Sequence, residues 1–282
     1  GIKVPFRAAN NSLDKSLWIS FFTNITHEFR TPITLILGPI ERALKLSYNP
    51  QVIEQLHFAE RNSKYLLTLV NQLMDFRKIE SGKMEIMRSR GNLRAFLSNI
   101  IEIFRPIAID RSIDLRLCDR LSRPVMSFDE EALQKVLINL LGNALKFTPD
   151  GGRIVLYAAL LPSSCTGGAE AVYIAVADTG TGIAAGDLDR IFDRFYQGSS
   201  PMKYPVSGTA GSGIGLYLCH SLIDIYGGSI SVRNNPGGSG CTFRVVVPLP
   251  EGETAEAELP MLPAAARDKS GPNEEVVRDT AV

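Results

Sequence analysis

Two long consecutive stretches of the chain, residues 12–47 and 51–80, carry apolar side chains at steps of three and four residues. This spacing gathers the apolar side chains on one face of an α-helix. The sequence therefore predicts two long helices, separated by a turn at residues 47–50 and ended by Ser81 and Gly82. The apolar positions are Leu17, Phe21, Ile25, Phe29, Pro32, Leu35, Ile36, Ile40 and Leu44 in the first stretch, and Leu56, Ala59, Leu66, Leu69, Val70, Leu73 and Phe76 in the second.

Helices of this length, at 1.5 Å per residue, extend about 45 Å. A bare hairpin of two such helices cannot bury both apolar faces. Association of two copies into a four-helix bundle would cover them. The sequence thus favours a homodimer, with packing of the hairpin on the rest of its own chain as the alternative.

The first helix carries an unusual group of residues around His27. Glu28 follows it directly, Thr31 lies one helical turn later on the same face, and Pro32 comes next. Because Pro32 has no N–H to bond the carbonyl of Glu28, the helix is weakened at the turn that carries the histidine. His27 is therefore a candidate for contact with another group, and a solvated surface histidine is the alternative. A zinc site is disfavoured, because Thr31 stands where the helical zinc pair has its second histidine.

The composition excludes several classes of function. The formal net charge is +0, which argues against nucleic acid and an anionic membrane as partners. The four cysteines lack a framework spacing, which favours reduced thiols in a cytosolic compartment. No uninterrupted apolar run reaches the roughly 18 residues of a membrane span, so these residues predict no membrane contact. The chain opens with Gly1, close to the helix of His27, and we expect it to be a fragment of a longer protein.

The pattern changes to a mixture of helices and strands after residue 82. We expect residues 1–82 to form an all-α helical hairpin, residues 83–250 an α/β (α+β) sandwich, and residues 251–282 a disordered tail. The expected strands are residues 84–87, 113–117, 153–161, 171–177, 229–233 and 241–247. The expected helices of this part are residues 92–109, 129–147 and 212–226, with a polar loop at 162–170.

The helix expected at 129–147 is mostly apolar, and yet it carries Asn139, Asn143 and Lys146 on one stripe at steps of four and three residues. Buried polar groups need partners. Two amide oxygens and an ammonium group suit a magnesium polyphosphate. Capping of the helix or hydrogen bonding between helices is the alternative.

Three glycine-containing segments follow in the same part of the chain. In the first, Asp178 leaves a strand and enters a turn with Gly180, Gly182 and Ile183, which would present an acceptor to a ring amino group. The second has alternate glycines before a helix, where free N–H groups and the helix dipole attract phosphate. Its members are Gly211, Gly213, Gly215 and Leu216. In the third, Gly238 and Gly240 precede a strand that begins with Cys241 and Thr242, whose hydroxyl is placed to bond a base or a bridging water.

These four segments resemble, in the same order, the asparagine and glycine boxes of the GHKL ATPases, which hold ATP in a Bergerat fold. Residues 191–197 resemble the phenylalanine box of sensor histidine kinases, and residues 27–32 resemble their phosphoacceptor box. The likeness extends over residues 15–250. Around His27 it is most similar to bacterial hybrid two-component sensor kinases.

The resemblance implies a role for each matching residue. His27 would accept the γ-phosphoryl group of ATP, Glu28 would orient its imidazole, and Thr31 would serve dephosphorylation of a receiver domain or, alternatively, stabilise the turn that contains proline. Asn143, supported by Asn139, would hold Mg²⁺. The nucleotide-binding set would be Asn139, Asn143, Lys146, Phe147, Asp178, Gly180, Gly182, Ile183, Phe195, Tyr196, Gly211, Gly213, Gly215, Leu216 and Thr242, with residues 193–210 as a mobile lid.

The resemblance also implies partners and a location. A homodimer would phosphorylate itself and pass the phosphoryl group to an aspartate of a response-regulator receiver domain. The fragment would lie on the cytoplasmic side of an inner-membrane-anchored bacterial sensor. Two other interpretations stay open: a dimeric scaffold with a degenerate kinase, and another GHKL ATPase of the topoisomerase, mismatch-repair or chaperone type. The intact Asn143 and Asp178 count against the scaffold, and the box around His27 has no use in the other ATPases.

Overall fold

The computed structural model describes residues 12–166, 169–198 and 213–250, with side chains from residue 29 onward. It begins with two helices that pack against each other, α1 (Ser12–Leu46) and α2 (Pro50–Glu80), close to their predicted bounds. Asn49 caps α2 by accepting a hydrogen bond from the Gln51 N–H at 3.0 Å. The predicted end of α2 is a Schellman motif, in which the N–H groups of Lys83 and Gly82 bond the carbonyls of Lys78 and Ile79.

Large apolar side chains of the hairpin remain exposed in a single copy of the chain. The exposed fraction is 57% for Phe29, 69% for Leu35 and 50% for Leu66. Exposed apolar side chains that recur along one element are typical of a face that another surface covers. The hairpin therefore leaves uncovered much of the stripe that the sequence predicts to be buried.

The strands of the α/β part are β1 (Ser89–Asn92), β2 (Asp114–Arg120), β3 (Val125–Phe128), β4 (Arg153–Leu161), β5 (Ala171–Asp178), β6 (Ser229–Asn234) and β7 (Cys241–Pro248). They form a five-stranded sheet with the order β2-β4-β5-β7-β6 and a separate two-stranded sheet of β1 and β3. In the larger sheet β2 and β4 are parallel, and all other strand pairs are antiparallel. The helices are α3 (Leu93–Asp110), α4 (Glu130–Phe147), α5 (Ser163–Thr166) and α6 (Gly215–Ile225).

The core lies between the sheet and the three long helices α3, α4 and α6. Inward side chains alternate along β4, where Ile154 and Leu156 are fully buried. They meet a buried row on α4 that includes Leu137 and Leu141. The predicted combination of a helical hairpin with an α/β sandwich is confirmed. Among the described residues, no helix is both long and apolar enough to cross a membrane.

Several local predictions need correction. No strand forms at residues 84–87, because the Met87 N–H donates to the Asp129 carboxylate at 2.6 Å instead of to a neighbouring strand. The strand begins at Ser89 and pairs with β3, which the sequence did not predict. The loop expected at 162–170 contains the one-turn helix α5. The tail at 251–282 lies outside the described residues.

Gly151 and Gly142 provide a test of the backbone requirements of this fold. A Cβ atom at either position would meet no atom within 4 Å, but Gly151 has a φ of +76° and Gly142 lies inside α4. We expect G151A to lower the free energy of unfolding by about 1–2 kcal/mol, because an L-residue is strained at positive φ. G142A should raise it by about 0.5–1 kcal/mol, because alanine favours the helix interior. Urea unfolding of both variants measures the difference, and equal effects at the two positions would contradict it.

Candidate active site

Asp178 is the buried acid at the carboxyl end of β5, with 5% of its surface exposed. One carboxylate oxygen accepts a hydrogen bond from the Gly180 N–H at 2.8 Å. The other lies 3.2 Å from the thiol of Cys241, which donates to it. Burial raises the pKa of Asp178 above its ordinary value. The result is a fixed acceptor in a nearly dry position, able to recognise a donor such as a ring amino group.

The turn after Asp178 packs directly on the end of α4. A Cβ atom at Gly180 would lie 2.6 Å from the carbonyl oxygen of Phe147, so only glycine allows this approach. Ile183, at the end of the turn, packs partly buried against the core. The structure thus brings together the first glycine segment and the end of the asparagine helix.

The asparagine stripe lies half-buried on α4. The Asn139 amide donates to the Lys135 carbonyl at 3.0 Å, and a Cβ atom at Gly215 would lie 2.4 Å from its side-chain oxygen. The beginning of α6 therefore touches Asn139. Within the described part of the chain, the Asn143 side chain has no hydrogen-bond partner. The alternative of hydrogen bonding between helices finds no support at Asn143.

The N-terminus of α6 differs from that of α4. Asp129 caps α4 through its carboxylate, which accepts a hydrogen bond from the Ala132 N–H at 2.9 Å. Ile214, the N-cap of α6, makes no side-chain cap. The first N–H groups of α6 thus lack the internal acceptor that an N-cap side chain usually provides. Leu216 in the first turn packs against the core, and Gly211 lies outside the described residues.

The remaining predicted nucleotide residues have protein partners. The Lys146 ammonium lies 5.3 Å from the centre of the Phe147 ring, and burial lowers the pKa of Lys146. The Thr242 hydroxyl donates to the side-chain oxygen of Asn235 at 2.6 Å. Tyr196 donates from its hydroxyl to Asp187 at 2.7 Å. Thr242 lies on the strand beside Asp178, whereas the Tyr196 hydroxyl is engaged within its own segment.

Phe195 connects the α/β part with the hairpin. Its ring centre lies 5.8 Å from that of Phe76 on α2, and a Cβ atom at Gly213 would lie 2.6 Å from its carbonyl carbon. Next to it, the guanidinium of Arg194 and the hydroxyl of Tyr217 both donate to Glu80, at 2.8 and 2.7 Å. The segment that precedes α6 is therefore held against the last turns of α2.

His27 and Glu28 lie in α1, but their side chains are outside the described ones. Thr31 is exposed on the same helix. One turn after His27, Arg30 donates to Asn71 of α2 at 2.6 Å. A cleft between α1, α2 and α4 begins here, lined by Arg30, Asn71, Met74, Asp75, Lys78, Glu131 and Lys135. The α/β part thus lies beside the helix of His27, and Lys135 of α4 pairs with Asp75 of α2 at 2.9 Å.

Sequence reasoning missed Asn234, Asn235 and Cys241, which contact the turn at Asp178. The Asn235 amide donates to the Asp178 carbonyl at 2.7 Å. The pair of asparagines precedes Pro236 and two glycines, a pattern that indicates only a turn. A signal for their further role is absent from the sequence, because the contact joins positions about fifty residues apart.

Comparison with known families gives two matches. Residues 18–82 match the His Kinase A (phospho-acceptor) domain. Residues 128–251 match the family described as histidine kinase-, DNA gyrase B-, and HSP90-like ATPase.

Several characterised proteins are similar to this chain. Histidine kinase P4 of Formosa agariphila is 34% identical over 245 residues, which cover 86% of this chain and 17% of that protein. Autoinducer 2 sensor kinase/phosphatase LuxQ of Vibrio harveyi is 34% identical over 236 residues, which cover 83% of this chain and 26% of LuxQ. Full-length ShkA, crystallised in complex with AMPPNP, has a TM-score of 0.65 and 26% identity, over 82% of this chain and 46% of ShkA. The chain thus spans only a minor part of these relatives.

The pKa of Asp178 predicts the pH dependence of stability. Because the folded-state pKa lies above the unfolded one, the stability linked to this group is fully present below the unfolded pKa and is lost as pH rises through the folded pKa. D178N removes the charge, so without nucleotide it should be more stable than the wild type at pH 7. The difference should shrink towards pH 4. Urea unfolding at both pH values checks this, and a variant that is less stable than the wild type at pH 7 would contradict it.

Proposed function

Because this chain belongs to the sensor histidine kinases, we propose that it is a kinase core that transfers the γ-phosphoryl group of ATP to His27. The observation that carries the proposal is the position of Asp178. Its buried carboxylate ends the central strand next to the helix of Asn139 and Asn143, and beside the turn that contains Gly180. An acceptor for a base and oxygen donors for a metal polyphosphate thus lie in one domain.

The adenine end of the site is formed by the carboxyl end of β5. Asp178 accepts a hydrogen bond from the exocyclic amino group, and the turn formed by Gly180, Gly182 and Ile183 is the floor under the base. Thr242 lies on the neighbouring strand and bonds the base or a bridging water. Phe147, Phe195 and Tyr196 belong to the proposed lining by resemblance, although the described contacts of Phe195 and Tyr196 are with other protein groups.

The phosphate end is formed by the beginning of α6 and the polar stripe of α4. Gly213 precedes α6, and Gly215 and Leu216 begin it. The first N–H groups of this helix carry no side-chain cap and attract phosphate through the helix dipole. Gly211, outside the described residues, is assigned to the same role. Lys146 adds a half-buried ammonium group for the phosphates.

Asn143 and Asn139 fit the requirements of Mg²⁺, because amide oxygens are hard ligands and Asn143 has no partner among the described residues. The ion, when bound, neutralises charge on the phosphates of ATP. Both asparagines lie on α4, and the last residue of this helix, Phe147, packs against the turn that follows Asp178.

The chemical step takes place at His27. A ring nitrogen forms a bond with the γ-phosphorus of ATP while the bond between this phosphorus and the bridging oxygen breaks, and ADP leaves. Glu28 accepts a hydrogen bond from the other ring nitrogen and stabilises the correct tautomer. The phosphoryl group then passes to an aspartate of a response-regulator receiver domain. Positioning does most of the work in phosphoryl transfer, so a site with few catalytic groups suffices.

The proposal includes a homodimer, because the exposed apolar faces of the hairpin suit a four-helix bundle with a second copy. It also retains the interpretation of the chain as the cytoplasmic part of an inner-membrane-anchored bacterial sensor. Residues 1–82 serve dimerisation and phosphoacceptance, residues 83–250 bind ATP, and residues 251–282 are a linker.

We assign to Thr31 a second activity, the dephosphorylation of the receiver domain. LuxQ, one of the similar proteins, is named a kinase/phosphatase. Thr31 is exposed one turn after His27, and we assign to its hydroxyl the orientation of a water that attacks the phosphorylated receiver. Stabilisation of the turn at Pro32 is the alternative role.

Substitution of histidines tests the proposal. With ATP labelled in the γ-phosphate and Mg²⁺, the wild-type chain should acquire label that is labile in acid and stable in base. H27Q should remain at background, because it lacks the nucleophilic nitrogen. H57Q is the matched control, since His57 is exposed on α2 and lies 3.4 Å from Glu60. It should be labelled like the wild type.

Equal labelling of H27Q and the wild type would show that the phosphoacceptor is another residue. A wild type that binds ATP without acquiring label would favour the scaffold interpretation.

A further inference from the structure

The turn at residues 180–183 lies outside the sheet, but the N–H and the carbonyl of its last residue are both hydrogen-bonded. The Ile183 N–H donates to the side-chain oxygen of Asn234 at 2.8 Å. The side-chain nitrogen of Asn234 donates to the Ile183 carbonyl at 2.7 Å. One side-chain amide thus satisfies both backbone groups of a single residue.

Two residues that face each other in an antiparallel ladder exchange the same pair of N–H···O=C hydrogen bonds. The Asn234 side chain therefore takes the place of a strand residue beside Ile183. Only one orientation of the amide provides an acceptor for the N–H and a donor for the carbonyl. Asn234 is the last residue of β6, and its backbone pairs with Cys241, so the amide is anchored to the sheet.

The turn also packs closely against the Asn234 side chain. Gly182 has a φ of +69°, and a Cβ atom there would lie 3.1 Å from the Asn234 side-chain oxygen. At the other end, the Asn235 amide donates to the Asp178 carbonyl at 2.7 Å. Two adjacent asparagines, Asn234 at the end of β6 and Asn235 directly after it, therefore hold the segment from Asp178 to Ile183 at both ends.

We propose that Asn234 is a positioning residue for nucleotide binding, whose amide holds the turn at residues 180–183 in the shape that an adenine base requires. This inference rests on the proposed function, which takes that turn as the floor of the adenine site. Asn234 acts through Ile183 and Gly182. Its loss allows the turn to relax away from β6, and the base then loses a surface that is ordered in advance.

The variant N234D tests this in a way that a general structural role does not. The ionised carboxylate cannot donate to the Ile183 carbonyl and repels it. The protonated carboxyl group has the shape of the amide, with one donor and one acceptor. N234D should therefore bind ADP about tenfold more weakly than the wild type at pH 8. The ratio of the two dissociation constants should fall as the pH is lowered from 8 to about 4, as the introduced carboxyl becomes protonated.

Calorimetric titration with ADP and Mg²⁺ measures both dissociation constants at each pH. Ionisation of ADP and of Asp178, the titratable group of the same turn, affects the dissociation constants of both proteins equally. The ratio to the wild type therefore removes its effect. N62D is the matched control, because the Asn62 amide also donates to a backbone carbonyl, that of Phe58 at 2.8 Å, but on exposed α2. It should bind ADP like the wild type at every pH.

N234S provides a second variant if N234D folds poorly. The serine hydroxyl is a single atom on a shorter side chain and cannot lie at the positions of both amide atoms, so N234S should bind ADP more weakly than the wild type by a factor that does not change with pH. Wild-type affinity of N234D at pH 8, or a deficit of N234D that is the same at both pH values, would overturn the inference. A wild type that binds no ADP would instead overturn the proposed function on which it rests.

Discussion

Burial of the Asp178 carboxylate at the end of the central strand is the constraint around which the catalytic part of this protein is arranged. An ionised carboxylate in a nearly dry position is costly unless donors surround it. Here the donors are the Gly180 N–H, the Cys241 N–H at 3.4 Å and the thiol of Cys241, and the thiol is a weak donor. The carboxylate thus retains capacity for a further donor, and its raised pKa reflects the cost of burial. Such a group is typical of a binding site and not of a core optimised for stability.

The position of the catalytic part on the hairpin depends on weaker interactions. Arg194 and Tyr217 meet Glu80 at the end of α2, and the Arg194 side chain is about half exposed. Exposed ion pairs of this kind contribute about 0–1 kcal/mol. The ring contact between Phe76 and Phe195 adds an aromatic pair of modest energy. Contacts of this size contribute little free energy to the arrangement of the two parts, and the proposed transfer of a phosphoryl group to His27 would need such contacts to break and re-form.

Local signals in the sequence predicted the elements that depend on local chemistry. The apolar steps of α1 and α2 and the cap at Gly82 are properties of neighbouring residues, so the helices were predicted nearly to the residue. The strand expected at residues 84–87 was wrong, because the Asp129 carboxylate takes the N–H that a ladder would use. The short strand β3 was missed, since four residues carry too little pattern to indicate a strand.

The contrast between local sequence signals and contacts that form only in the folded structure also applies to the candidate site. Asp178 and the glycines around it were found through a motif along the chain. Asn234 was not, because its role depends on a contact with Ile183 that only the folded sheet creates. Tyr196 was placed in the nucleotide set by resemblance, but its described hydrogen bond is with Asp187. Motifs therefore predict the groups that we propose to contact the ligand, and the structure was needed to find the groups that support them.

Nucleotide selectivity tests most directly the central claim that the Asp178 carboxylate recognises the adenine amino group. The measurement is the affinity of the wild type and of D178N for ATP and for GTP. The wild type should prefer ATP by about a thousandfold or more, because the guanine carbonyl would face a buried carboxylate. D178N should lose most of this preference, since its amide can donate to that carbonyl. Retention of the full wild-type preference by D178N would contradict the account.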